Sequence, residues 1–244
     1  MSDATHAKTG ILVSWCAVNW MRSPSSRGEP TRASIADLFG RGIEQWHAAR
    51  AINPQRAARI LAGRLVVREL VTERGLDHWA GFEPTSLGRK PTMTDSDIDF
   101  SIAHSAHWLL AAIVQTGSVG VDVETHVNEF DHPGLLRRMC TADELARANE
   151  LDVSARRSWL ATLWTAKEAV SKLDGCGLRG DFRQLHLGDL IPVGEAEHPI
   201  AASIAISPHG RAGSPDKRGL ERDRFTLLHP QIGNEGVLGS RVMT

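Results

Sequence analysis

Val119-Gly120-Val121-Asp122-Val123-Glu124 alternates valines with a glycine and two carboxylates. That alternation predicts a half-buried strand with one charged face. Residues i and i+2 of a strand point the same way, so Asp122 and Glu124 stand side by side. About forty residues further on comes Trp164-Thr165-Ala166-Lys167-Glu168-Ala169-Val170-Ser171-Lys172. This stretch reads as helix, with Trp164, Glu168 and Lys172 at i, i+4 and i+8 on one stripe. Together the two segments supply three carboxylates and at least one lysine. Such a set suits a hard divalent cation next to a phosphate.

Each piece also has a plain reading. A lone Asp-X-Glu on a strand is usually a solvated face. Two like charges a few ångströms apart repel by about 1 kcal/mol unless water or a cation intervenes, and a divalent ion removes that repulsion. Lys-Glu within a helix is usually a solvated ion pair, and Glu168 to Lys172 has the orientation that simply supports a helix. Trp164 more often packs a core than touches a ligand. His104, Arg59 and the basic turn Gly88-Arg89-Lys90-Pro91 would, singly, be read as surface features.

Working outward, Ile11 to Val18 reads as a strand and Ser34 to Arg50 as a helix. Asn53-Pro54 marks a helix start, and the apolar stripe through Ala57, Leu61 and Leu65 extends that helix to Glu73, before Gly75. Phe100 to Ala103, Trp108 to Gln115 and the Asp122 strand read as an antiparallel meander. Asp131-His132-Pro133 opens a helix, and Thr141-Ala142-Asp143-Glu144 resembles a capping box. One long helix runs from Ser154 to Leu173. Leu185 to Ile191, Ile200 to Ile206 and Phe225 to Leu228 are expected as strands. Ser207 to Arg224, rich in Gly, Pro and charge, is expected as a mobile loop or tail.

With 244 residues, 41% of them hydrophobic, the chain can bury a sizeable core. A net charge of -1 argues against a general nucleic-acid or membrane binder, so an anionic ligand must be held by local basic groups. The three cysteines, Cys16, Cys140 and Cys176, lie far apart and outside metal-ligand spacing. A reducing cytoplasm fits them best. Met1 to Gly10 lacks the pattern of a signal peptide, and no apolar run approaches a membrane span.

Taken in order, several segments resemble the 4′-phosphopantetheinyl transferase superfamily, in its large pseudo-dimeric, surfactin-synthetase-activating type. They are Arg59 to Arg68, Gly88 to Pro91, Phe100 to Ser105, Gly120 to Glu124, and Trp164 to Lys172 followed by Gly175-Cys176-Gly177-Leu178. The resemblance covers roughly residues 50 to 190. It implies an α+β fold of two similar α/β half-domains, each a small antiparallel sheet on a long helix. The first half is expected over 1–115. The second, carrying the metal site, is expected over 116–206, and a flexible tail with one possible last strand over 207–244. The resemblance further implies a cytoplasmic monomer that moves the 4′-phosphopantetheine arm of coenzyme A to a serine of an acyl or peptidyl carrier protein.

Carried over by position, Asp122, Glu124 and Glu168 would hold Mg²⁺. Glu168, Lys172 and Glu144 would be catalytic, with Glu144 as the base. Arg59, Lys90, His104, Ser105, Lys167 and Lys172 would bind coenzyme A. Leu135, Leu136 and Met139 would offer an apolar patch to the carrier. One departure is that the family's usual Ser-His-Ser reads Ala103-His104-Ser105 here. Two other readings stay open: a non-catalytic relative that binds coenzyme A or a carrier, and a Mg²⁺-dependent pyrophosphate hydrolase.

Overall fold

The computed structural model describes residues 11–19, 32–76, 79–85, 90–125, 130–175, 181–192, 200–208, 225–232 and 237–243. The architecture is α+β. Strand β1 (Ile11–Asn19) is followed by helices α1 (Arg32–Phe39), α2 (Ile43–Ile52) and α3 (Pro54–Glu73), then β2 (Asp99–Ser105), β3 (Trp108–Val114) and β4 (Ser118–Glu124). Helices α4 (Pro133–Met139), α5 (Ala142–Glu150) and α6 (Val153–Leu173) come next. Strands β5 (Ala201–Ser207), β6 (Thr226–Leu228) and β7 (Val237–Met243) complete the order.

The strands form two antiparallel sheets, ordered β2-β3-β1-β7 and β4-β5-β6. The period of two decides what each face meets. In β3, Leu109, Ala111 and Ile113 pack with α1–α3, whereas Trp108, Leu110, Ala112 and Val114 face the second sheet. In β4, Val119, Val121 and Val123 face the first sheet. Gly120 meets α6: a Cβ there would lie 1.9 Å from the Ala169 carbonyl oxygen. Only a glycine lets the helix lie this close to the strand. The order of layers is therefore helix, sheet, sheet, helix.

Helix boundaries follow local chemistry. The Asn53 side chain accepts from the Arg56 N–H at 2.9 Å, with Pro54 in the first turn of α3. Thr141 and Glu144 complete a reciprocal capping box on α5. Asp152 caps α6 by accepting from the Ala155 N–H.

Four expectations are corrected. The helix read over Ser34 to Arg50 is two helices, broken at Gly40, whose φ of +51° is left-handed and whose backbone pairs with Gly81. The meander stops at β3, because β1 takes the other edge of β3 and β4 opens the second sheet. Leu185 to Ile191 is not a strand: it follows one 3₁₀ turn, Phe182–Gln184, and contains another, Gly188–Leu190. Of its apolar residues, Leu185, Leu187 and Ile191 are buried against the α6 core, whereas Leu190 is exposed. The 207–244 stretch supplies two strands, β6 to the second sheet and β7 back to β1 of the first. Residues 209–224, within the expected mobile loop, lie outside the described residues. Among the described residues, no helix is long and apolar enough to cross a membrane.

Candidate active site

Strands β2 and β4 run side by side at the join between the sheets without forming a ladder. Instead, side chains on alternate positions of β2 accept N–H bonds from β4. Asp99 Oδ2 accepts from Val119 N (2.9 Å), Ser101 Oγ from Val121 N (3.1 Å) and Ser105 Oγ from Thr125 N (3.2 Å). The offset is constant at twenty residues. Ala103 occupies the corresponding position opposite Val123 and is buried there. Position 103 therefore faces the join and not a ligand cleft.

The other face of β2 looks onto α3. Gly63 allows that approach, since a Cβ would meet Ile102 Cγ2 at 3.0 Å. A cavity of about 340 Å³ opens here, lined by Ile60, Arg64, Lys90, Phe100, His104 and Lys172 among others. Lys90 is mostly buried. It donates to Asp99 Oδ2 and to the Val119 carbonyl oxygen, the latter at 2.6 Å, so it clamps the join as well as lining the cavity. His104 Nε2 lies 3.1 Å from the Arg59 carbonyl oxygen. A carbonyl only accepts, so that nitrogen carries the proton. Burial lowers the imidazole pKa, and the cations of Lys172, Arg59 and Arg64 lower it further. The ring is therefore neutral at pH 7. Arg59 itself is exposed.

Arg64 was missed by the sequence reading. Its guanidinium stacks over Phe82 at 4.2 Å and Phe100 at 5.0 Å from the ring centroids. Burial pushes its pKa down to about 10. Nε and one terminal nitrogen are buried with no hydrogen-bond partner among the described residues. A buried guanidinium without an anion is costly. The signal was available: Arg64 shares the buried stripe of α3 with Ile60, Val67 and Val71, at i, i+4, i+7 and i+11.

Next to this cavity lie the carboxylates. Lys172 on α6 donates to Asp122 Oδ1 at 2.5 Å and lies 3.4 Å from Glu168 Oε2. Asp122 is 4% exposed, and its Oδ2 is buried without a partner among the described residues. Burial raises the Asp122 pKa to about 7. Lys172 opposes that shift, while Glu168 and Glu124 add to it. For Lys172, burial disfavours the charged form, but Asp122 and Glu168 outweigh it and hold the ammonium above its usual range. Glu124 stands at the end of β4, where Ser105 donates to its Oε2 at 2.7 Å.

Among the described residues, no three carboxylate, imidazole or thiol side chains converge at metal-ligand spacing. The donor set nonetheless fits a cation. Asp122 and Glu168 already share one positive charge, that of Lys172, and Asp122 presents an unsatisfied buried oxygen.

Three expected roles are corrected. Glu144 is no base for an incoming substrate. It is 4% exposed and its oxygens are taken: Oε2 by Thr141 N (2.8 Å) and Lys167 Nζ (2.6 Å), Oε1 by Leu187 N (3.0 Å) and Gly188 N (3.1 Å). Lys167 is no phosphate ligand. It is fully buried and donates also to the Met139 and Phe182 carbonyls. Adjacent positions on a helix diverge by about 100°, so Glu168 faces β4 while Lys167 faces α5. Leu136 and Met139 form no apolar surface patch, being 7% and 0% exposed in the α6 core. Trp164 packs between Phe130 and Phe182, as a core residue. Gly88-Arg89 and Cys176–Gly180 lie outside the described residues.

Fold and site define an α+β protein whose two sheets meet at a basic cleft beside a carboxylate cluster. Residues 118–198 match the family model of the 4′-phosphopantetheinyl transferase superfamily, the superfamily read from the sequence. The chain is 30% identical over 137 residues to a putative 4′-phosphopantetheinyl transferase, slr0495, of Synechocystis, covering 54% of this chain and 55% of the relative. It is 27% identical over 124 residues to the 4′-phosphopantetheinyl transferase psf-1 of Bacillus pumilus (50% and 52%). It is also 27% identical over 171 residues to the 4′-phosphopantetheinyl transferase HetI of Nostoc (66% and 70%). The chain thus spans about half the length of the first two relatives.

Proposed function

We propose that the protein transfers the 4′-phosphopantetheine group of coenzyme A to a serine hydroxyl of an acyl or peptidyl carrier protein, releasing adenosine 3′,5′-bisphosphate. One observation carries the reading. Lys172 belongs at once to the wall of the basic cavity and to the Asp122–Glu168 carboxylate pair. A phosphorylated ligand in the cavity would therefore end at the carboxylates.

The residues divide the work. Arg64, Lys90 and Lys172 offer cationic donors along the cavity wall. Among the described residues Arg64 has no counter-ion, so a ligand phosphate would satisfy its charge. His104, neutral and fixed by the Arg59 carbonyl, supplies shape and polarity there instead of charge. The carrier serine oxygen attacks the phosphorus that bears the pantetheine, its proton passes to solvent water, and the phosphorus–oxygen bond to the departing bisphosphate breaks. Charge on the non-bridging oxygens is met by the Lys172 ammonium, held ionised by its two carboxylates. A divalent cation held by Asp122 and Glu168, with Glu124 beside them, would supply further neutralisation of the pyrophosphate.

The test is carrier mass. Incubation of an apo carrier with coenzyme A and Mg²⁺ should add one phosphopantetheine, and Glu168→Ala should abolish the gain. An unchanged rate in Glu168→Ala would remove the assigned role of that carboxylate. Release of adenosine 3′,5′-bisphosphate with no carrier present would instead indicate a hydrolase.

A further inference from the structure

Ser105 closes the row of side chains that joins β2 to β4. Its Oγ accepts from Thr125 N at 3.2 Å, lies 3.2 Å from Thr125 Oγ1 and donates to Glu124 Oε2 at 2.7 Å. A hydroxyl has one proton, and the carboxylate takes it. The Thr125 hydroxyl is then the donor in the Ser–Thr pair. Ser105 accepts twice and donates once, so its orientation is determined. It is 7% exposed, and its side chain is turned to the end of β4.

We propose that Ser105 is a positioning residue for Glu124. This rests on reading Asp122 and Glu168 as a cation site, and it replaces the expected contact of Ser105 with coenzyme A. The backbone supplies the anchor. Thr125 N–H fixes Ser105, and Ser105 fixes the carboxylate of the residue just before Thr125. Glu124 and Asp122 lie two residues apart on β4 and so stand on the same face of the strand. A carboxylate held in one orientation meets an incoming cation without losing rotamer freedom at that moment. Groups that orient ligands in this way typically contribute 10- to 100-fold in metal affinity.

Binding of Mn²⁺ alone, followed by its electron paramagnetic resonance signal in the full chain, tests this without any carrier. Ser105→Ala should weaken Mn²⁺ binding about tenfold or more, and Ser105→Thr, which keeps the hydroxyl, should recover most of it. Glu124→Gln should also weaken binding, and adding Ser105→Ala to it should cost nothing further. Thr125→Val removes only the hydroxyl that donates to Ser105 and should give a smaller loss. That variant keeps the test usable if Ser105→Ala folds poorly. Unchanged Mn²⁺ affinity in both Ser105→Ala and Thr125→Val, or additive losses in the double variant, overturns the proposal. If Asp122→Asn still abolishes binding in that case, the cation site itself stands. Equal Mn²⁺ binding by the unmodified chain and Asp122→Asn overturns the site and the proposal together.

Discussion

Replacing Glu144 by glutamine separates a structural role from a catalytic one. The wild-type carboxylate gathers Lys167 Nζ and three backbone N–H groups in a site with almost no solvent access. Glutamine keeps one carbonyl oxygen for the Leu187 and Gly188 N–H groups but removes the negative charge. The Lys167 ammonium is then left fully buried with only the Met139 and Phe182 carbonyls. Removing one member of a buried pair typically costs about 3–5 kcal/mol. For a chain of this size that corresponds to a fall in melting temperature of about 10 °C, at about 2–4 °C per kcal/mol. Lys167→Met combined with Glu144→Gln removes the orphaned charge and should restore part of the loss. Differential scanning calorimetry reads the stability, and carrier modification at a temperature below both transitions reads the activity. The expected result is a large fall in stability with kcat little changed. Unaltered melting with a kcat loss of about a hundredfold or more would refute the structural assignment and return Glu144 to the role of base.

Arg64→Met should leave stability unchanged or raised, since it removes a buried charge that has no counter-ion among the described residues, yet weaken coenzyme A binding by about tenfold or more in calorimetric titration. Gly120→Ala should destabilise by about 3 kcal/mol in urea unfolding, the upper end for overpacking, because its Cβ would overlap the Ala169 carbonyl oxygen. Ala103→Ser should stabilise by about 1 kcal/mol by offering an acceptor opposite Val123; a lower urea midpoint would refute that placement. In a chelator, the Asp122 contribution to stability should fall with rising pH. The folded state holds this proton up to about 7, while the unfolded chain releases it near 3.8. Its favourable effect is complete below the lower value and lost by the upper. Asp122→Asn should flatten that part of the pH profile of stability.

Much of the helical framework was legible because its causes are local. Asn53-Pro54, the Thr141–Glu144 box and the stripe ending at Lys172 act within one or two turns. Leu185 to Ile191 was misread as a strand because buried 3₁₀ turns and buried strands expose the same short apolar run. The return of β7 to β1 could not be read at all, since Val237 and Ala17 pair across almost the whole chain.

At the candidate site the division is similar. The amino-acid order alone determined the alternation that sets Asp122 against valines and the i, i+4 relation of Glu168 to Lys172, because both are consequences of strand and helix period. Tertiary structure alone decided which charges meet. Lys172 reaches Asp122 across fifty residues, Ser105 reaches Glu124 across nineteen, and Lys167 reaches Glu144 across twenty-three. The last pairing turned an expected catalytic acid–base residue and an expected phosphate ligand into a buried clamp. Side-chain chemistry names the groups able to bind a cation or a phosphate, but burial and the nearest opposite charge determine which of them remain available to do so.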